Sequence, residues 1–114
     1  MKYEKVIVEV GQNYVAEITL NRPEQLNALD SQMAEELYQA LIELDANPKV
    51  RVVILKGAGK SFCVGIDVNE LSNKTAIEYR EWIERMERPL IAISKMKKPV
   101  IAQLHGVAQL IWDI

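Results

Sequence analysis

With a single cysteine, Cys63, the chain cannot close an internal disulfide, so a reducing, cytoplasmic setting is the expectation. One histidine, His105, and no cluster of ligand-type residues at coordinating spacing give no reason to expect a metal. Long apolar runs are missing too. No stretch approaches the roughly 18–20 apolar residues that span a bilayer. The opening MKYEKVIVEVGQNYVAEITL breaks each apolar run with charge, so neither a signal peptide nor a membrane anchor is expected. Charge of one sign is also scarce. Fourteen basic against 16 acidic residues leave a net charge of −2, which favours neither nucleic acid nor an acidic membrane as partner. Lys95, Lys97 and Lys98, and the arginines of 80–88 interleaved with glutamates, read as solvated faces. Asn73-Lys74-Thr75 matches a glycosylation acceptor only by coincidence in such a setting. No repeat or low-complexity linker divides the 114 residues, which suit one domain at most.

What remains is an ordinary globular mixture, 49% apolar and 26% charged, with clear periodicity. VIVEV at 6–10 and YVAEITL at 14–20 flank Gly11, Gln12 and Asn13, which predicts a β-hairpin. In the following loop, Pro23 lacks an N–H and holds Arg22 extended. Leu29, Met33, Leu37, Leu41 and Leu44 recur every three or four residues and predict a helix over 31–46. Asp30 or Ser31 caps it, Glu35 and Glu36 suit its positive end, and Asn47-Pro48 stops it. VRVVIL at 50–55 reads as a central strand. A short helix at 67–71 follows a glycine turn. Thr75 and Glu78 then form a capping box for a longer helix. Its stripe is Tyr79, Trp82, Ile83, Met86, Leu90 and Ile93, and Pro89 within it predicts a kink or a restart. PVIAQL at 99–104 is the last strand, and His105-Gly106 turns away from it. The order β-β-α-β-α-α-β predicts an α/β layer with a largely parallel sheet.

GAGKS at 57–61 invites comparison with a phosphate loop. The Walker pattern needs a glycine where Ile54 stands and a helix where SFCVG follows. The dinucleotide fingerprint has Gly57 and Gly59 but Phe62 at its third glycine, so nucleotide binding here is not expected. Gly65-Ile66-Asp67 is the better candidate. A glycine before a helix start lets a ligand approach the backbone, and the first helical N–H groups lack partners. Such donors suit an anionic oxygen, and two of them can stabilise charge developing on a carbonyl by several kcal/mol. An ordinary cap by Asp67 with no ligand is the alternative, and spacing alone leaves both open. His105 fits either a base or a structural turn. Cys63, with only Lys60 as a positive neighbour, reads as a packing residue rather than a nucleophile.

Three blocks carry a more specific message. ITLNRPEQLNALD at 18–30, VRVVILKGAGKSFCVGIDVNEL at 50–71 and KMKKPVIAQLHGVA at 95–108 resemble segments of the crotonase superfamily, the enoyl-CoA hydratase/isomerase family. They match its N-terminal signature, its first oxyanion-hole segment (usually F-C-A-G-A-D), and the strand and turn leading to its second. The resemblance implies a crotonase-like ββα spiral, truncated, with 1–108 the N-terminal part of the domain and 109–114 a divergent tail. It implies that the Ile66 N–H is one oxyanion-hole donor, facing the thioester carbonyl of an acyl-CoA that becomes an enolate. Beside Gly65, residues Ile66, Asp67, Val68 and Asn69 would line the acyl thioester and pantetheine path. Leu26 and Ala28, with Val64, would form the CoA-binding wall, and Lys60 would lie near the nucleotide phosphates. No cofactor is implied beyond the CoA thioester itself as substrate.

The sequence then departs from that pattern. After HGVA the family continues with a glycine-rich turn like G-G-G-C-E, whereas QLIWDI follows here. The second oxyanion donor aligns with Ile111 and the first catalytic glutamate with Ile114. A second glutamate falls beyond residue 114, and Asp113, one place off, is not assigned as the base. The expectation is a truncated or frame-shifted member with little or no activity alone. Apolar faces prepared for the rest of the domain would then drive homo-oligomerisation or recruit a partner. The competing reading is a non-catalytic fragment or interaction module that assembles with a partner.

Overall fold

In a computed structural model that describes residues 3–108, the predicted hairpin forms. Strand β1 (Val6–Val10) runs antiparallel to β2 (Val15–Leu20), with Val6 opposite Leu20 and Val10 opposite Ala16. The turn takes one residue more than expected: Tyr14 adopts φ 66°, under the Arg51 guanidinium 4.3 Å from its ring centroid. Along β2, Ala16, Ile18 and Leu20 are buried while Val15, Glu17 and Thr19 are half-exposed, the alternation of a strand with one face on a core.

That core is built by helix α1 (Ser31–Ala46), whose bounds match the sequence reading. Asp30 Oδ1 accepts from the Met33 amide at 2.8 Å and caps it. Met33, Leu37, Leu41 and Leu44 are all but fully buried with Val6, Ile18, Leu20 and Val53. Each such side chain contributes about 1.5–3 kcal/mol relative to exposure. Glu35 and Glu36 fall beyond the first turn of α1, which carries no acidic residue, so Glu36 serves another purpose than the helix dipole. Its buried carboxylate accepts the Glu4 and Lys5 amides at 2.8 and 2.7 Å and ties α1 to the start of β1.

Strand β3 (Val52–Gly57) begins two residues later than expected, because Val50 closes a turn onto Asn47. It pairs parallel with β2, Val15 opposite Val52, so α1 is the crossover between them. Helix α2 (Ala76–Lys95) packs on α1 and leads to β4 (Val100–Ala102), parallel to β3. The sheet order is β1-β2-β3-β4, the α/β arrangement expected.

Three local readings change. The helix expected at 67–71 is a single 3-10 turn, Val68–Leu71, with Asp67 as its cap. Pro89 does not restart α2, which runs unbroken through it with the ring buried. Lys98 is not on a solvated face: its Nζ donates to the carbonyls of Leu44 and Asn47 at 2.8 and 2.6 Å, capping the end of α1. Asp45 accepts the Lys97 and Lys98 amides and holds the α2–β4 connection there.

Candidate active site

Two loops leave the same end of the sheet, one after β2 and one after β3, and a buried amide joins them. Asn27, fully enclosed at φ 58°, donates from Nδ2 to the carbonyls of Ala58 and Ser61 at 2.9 and 2.8 Å. Its Oδ1 accepts the Arg22 amide at 2.8 Å. Every polar atom of that side chain is satisfied, so it can be buried without penalty. The loop after β4 joins them: Phe62 N donates to the His105 and Val107 carbonyls, and Cys63 bridges to Ala108. Gly106 is required there. At φ 57°, a Cβ would sit 1.9 Å from the Lys60 carbonyl oxygen. His105 Nε2 donates to the Gly59 carbonyl at 2.9 Å, which favours the structural turn over the base.

The segment between Cys63 and Leu71 is the centre of this arrangement. Gly65 takes φ 116°, a conformation closed to most side chains, and Cys63 Sγ accepts its amide at 3.4 Å. Burial pushes the Cys63 thiol up, so the sulfur packs and does not act as a thiolate. Leu29 and Ile66 form an isolated parallel bridge: Leu29 donates to the Gly65 carbonyl at 2.8 Å and accepts from the Asp67 amide at 2.9 Å. In a parallel bridge the bracketed residue turns its own N–H and C=O away from its partner. The Ile66 amide therefore faces away from Leu29, and it has no hydrogen-bond partner among the described residues. It is an orphan because of this bridge, not because it opens a helix, as the sequence suggested.

Beside it lies a groove of about 570 Å³, lined by Ile66, Val68, Leu71, Trp82, Ile83 and Met86 among others. The lining is overwhelmingly apolar, which suits a hydrocarbon tail. Of the expected path residues, Ile66 and Val68 meet in the groove, whereas Asp67 and Asn69 do not line it. Asp67 is turned toward Arg22, 3.4 Å from Nη1, and its Oδ1 accepts the Asn69 amide at 3.0 Å. Leu26 and Val64 are brought together by the Val64 N to Leu26 O bond at 3.2 Å. Ala28 sits behind them, buried, its carbonyl accepting from Arg22 Nη1 at 2.6 Å. Lys60 is exposed beside Gly59. Ile111, Ile114 and the tail 109–114 lie outside the described residues.

Ile66 thus lines an apolar groove, and its amide has no partner among the described residues. The sequence model of the enoyl-CoA hydratase/isomerase family covers residues 10–109. The chain belongs to the enoyl-CoA hydratase/isomerase family. It is 41% identical to a peroxisomal Δ(3,5)-Δ(2,4)-dienoyl-CoA isomerase of Arabidopsis thaliana, over 81% of this chain and 37% of that protein. It is 38% identical to an (E)-benzylidenesuccinyl-CoA hydratase of Thauera aromatica, over 90% of this chain and 40% of that one. An enoyl-CoA hydratase crystal structure from Mycobacterium smegmatis superposes with a TM-score of 0.86 at 33% identity, over 92% of this chain and 41% of that chain. This member of the family thus spans well under half the length of the relatives it matches, and its described part has their crotonase fold.

Two features of this family member were missed in the sequence. Arg22 and Glu70 hold the loops around Ile66 through partners 45 and 39 residues away, and no local pattern announces such contacts. Among the described residues no group of His, Cys, Asp or Glu can hold a metal, and no helix is long and apolar enough to cross a membrane.

Proposed function

We propose that this chain carries the acyl-thioester-binding portion of an enoyl-CoA hydratase/isomerase site. The observation behind this reading is the Ile66 amide, without a partner among the described residues, beside an apolar groove. A thioester carbonyl accepting from that amide gains stabilisation as proton transfer at the α-carbon turns it into an enolate, when its oxygen carries most charge. The acyl chain lies against Val68, Trp82 and Met86. Coenzyme A follows the wall of Leu26, Ala28 and Val64, with Lys60 toward its phosphates. Ile111 supplies the second oxyanion donor in this reading. A cytoplasmic location belongs to the same proposal, in keeping with the buried, unpaired thiol of Cys63.

Binding and turnover part company here. General acid–base chemistry needs a carboxylate within hydrogen-bond reach of the reacting carbon or its water. Asp67 is engaged by Arg22 and the Asn69 amide, and Glu70 by Ser31 and Trp82. Glu87 lines the groove, but Ile114 stands where the family's first catalytic glutamate aligns, so in this reading the chain alone binds acyl-CoA and hydrates it negligibly. Calorimetry with butyryl-CoA and with free CoA tests the first half, and loss of the conjugated absorbance of crotonyl-CoA tests the second. Tighter binding of butyryl-CoA with no hydration is expected. Equal affinity for the two ligands overturns the binding claim, and clear turnover overturns the catalytic one.

A second reading, assembly with another chain, is favoured by the open apolar surface at β4. Ile101, Leu104 and Val107 are 55%, 53% and 52% exposed.

A further inference from the structure

Glu70 lies in the 3-10 turn that follows Ile66, and its carboxylate is the meeting point of three elements. Oε1 accepts the Ser31 amide at 2.8 Å and Trp82 Nε1 at 3.0 Å, and Oε2 accepts Ser31 Oγ at 2.7 Å. Ser31 is the first residue of α1, and its amide is one of the donors that helix leaves without an internal partner. Trp82 belongs to α2, is only 5% exposed, and lines the groove beside Ile66. Hydrogen bonds to a carboxylate are the strong ones, and three of them on one group define both its place and that of its donors.

We infer that Glu70 is a positioning residue, fixing the Trp82 indole in the groove wall and the 66–70 segment against α1. It thereby sets the spacing between the groove and the Ile66 amide. This rests on the acyl-CoA reading above. Glu70 does not touch substrate; it acts through Trp82 and Ile66. Losing it frees the indole to rotate and removes the turn's bonds to Ser31 of α1, leaving the Leu29–Ile66 bridge just before that helix.

Glutamine separates position from charge. Its carbonyl oxygen can accept both the Ser31 amide and the indole N–H, and its amide can donate to Ser31 Oγ. Glu70→Ala and Glu70→Gln are made in a Trp112→Phe background, which leaves Trp82 as the only indole. Three quantities are read: affinities for butyryl-CoA and free CoA, Trp82 emission, and amide exchange of the peptide over 63–72. In Glu70→Ala, butyryl-CoA affinity falls about tenfold while CoA affinity holds. Trp82 emission also moves to the red, and exchange over 63–72 quickens. Glu70→Gln restores all three.

An alanine variant with unchanged emission, exchange and butyryl-CoA preference overturns the inference. So does an equal loss of both ligands, which marks a purely structural role. If the parent protein shows no preference for butyryl-CoA, the acyl-CoA reading fails. Emission and exchange in the free protein then decide the positioning claim alone: changed in Ala and restored in Gln supports it, unchanged overturns it. Should Glu70→Ala not fold, Trp82→Phe removes the indole donor together with part of the ring, and it must quicken exchange over 63–72 for the inference to stand.

Discussion

Asp30 is placed where three cations or donors converge. Burial raises its pKa, but the Lys5 hydrogen bond, the Met33 amide, and the Arg22 and Lys5 charges outweigh it and hold the carboxyl below its ordinary 3.8. A folded value below the unfolded one means that the unfolded chain binds more protons between the two. The stabilisation is therefore complete above 3.8 and is lost as pH falls through the lower folded value. Asn is itself a good helix cap, so Asp30→Asn removes charge while keeping the bond to Met33. It is expected to lower stability by roughly 1 kcal/mol at neutral pH, a part-buried ion-pair effect. The difference from the parent should vanish in urea titrations run below the folded pKa. A gap of the same size at every pH refutes the charge argument. Asn27, by contrast, is silent to pH: an uncharged amide whose three bonds hold the two loops in register.

At the scale of elements, α1 was legible to its end residues because three signals coincide: a cap at Asp30, a four-residue stripe, and Asn47-Pro48. Where only one signal was present, the reading slipped. VRVVIL carries β-propensity throughout, yet only the parallel register with β2 decides that pairing begins at Val52. The short stretch at 67–71 has too few residues to sustain an α-helix and settles as one 3-10 turn. Pro89 is informative: a kink or a restart was expected there, and the helix does not restart. A proline inside a helix costs about 3 kcal/mol, but burial on α2 keeps the ring in place and the helix continuous. Pro89→Ala restores one N–H to the ladder and gives up roughly two buried methylenes, at ~0.8 kcal/mol each. The helix term is the larger, so this substitution is expected to stabilise the protein by about 1 kcal/mol. Chemical denaturation showing a loss instead means that packing of the ring outweighs the ladder.

At the scale of the molecule, the exposed flank is β4 and the loop after it. Ile101, on a three-residue strand paired among the described strands only with β3, and Leu104, in the loop after it, are more than half exposed. An edge strand carrying apolar side chains is a template for association. The chain is expected to self-associate in a concentration-dependent way by light scattering. Ile101→Lys with Leu104→Lys should shift it toward monomer without altering the thermal transition extrapolated to low concentration. A monomer at all concentrations, or a double variant that associates as strongly as the parent, removes β4 as the contact.

The sequence by itself determined the layer architecture from the order of its elements, the bounds of α1 from signals within a few residues, and the family from three blocks in the right order and spacing. Tertiary structure alone decided why the Ile66 amide has no partner among the described residues. That donor is turned away by a bridge to Leu29, 37 positions earlier, and the groove beside it is lined jointly by the 66–71 segment and by α2. Glu70 and Asn27 belong to the same class. A hydrogen bond between residues some 30 to 40 positions apart leaves no periodicity in the chain, and only the folded backbone brings its two ends within 3 Å.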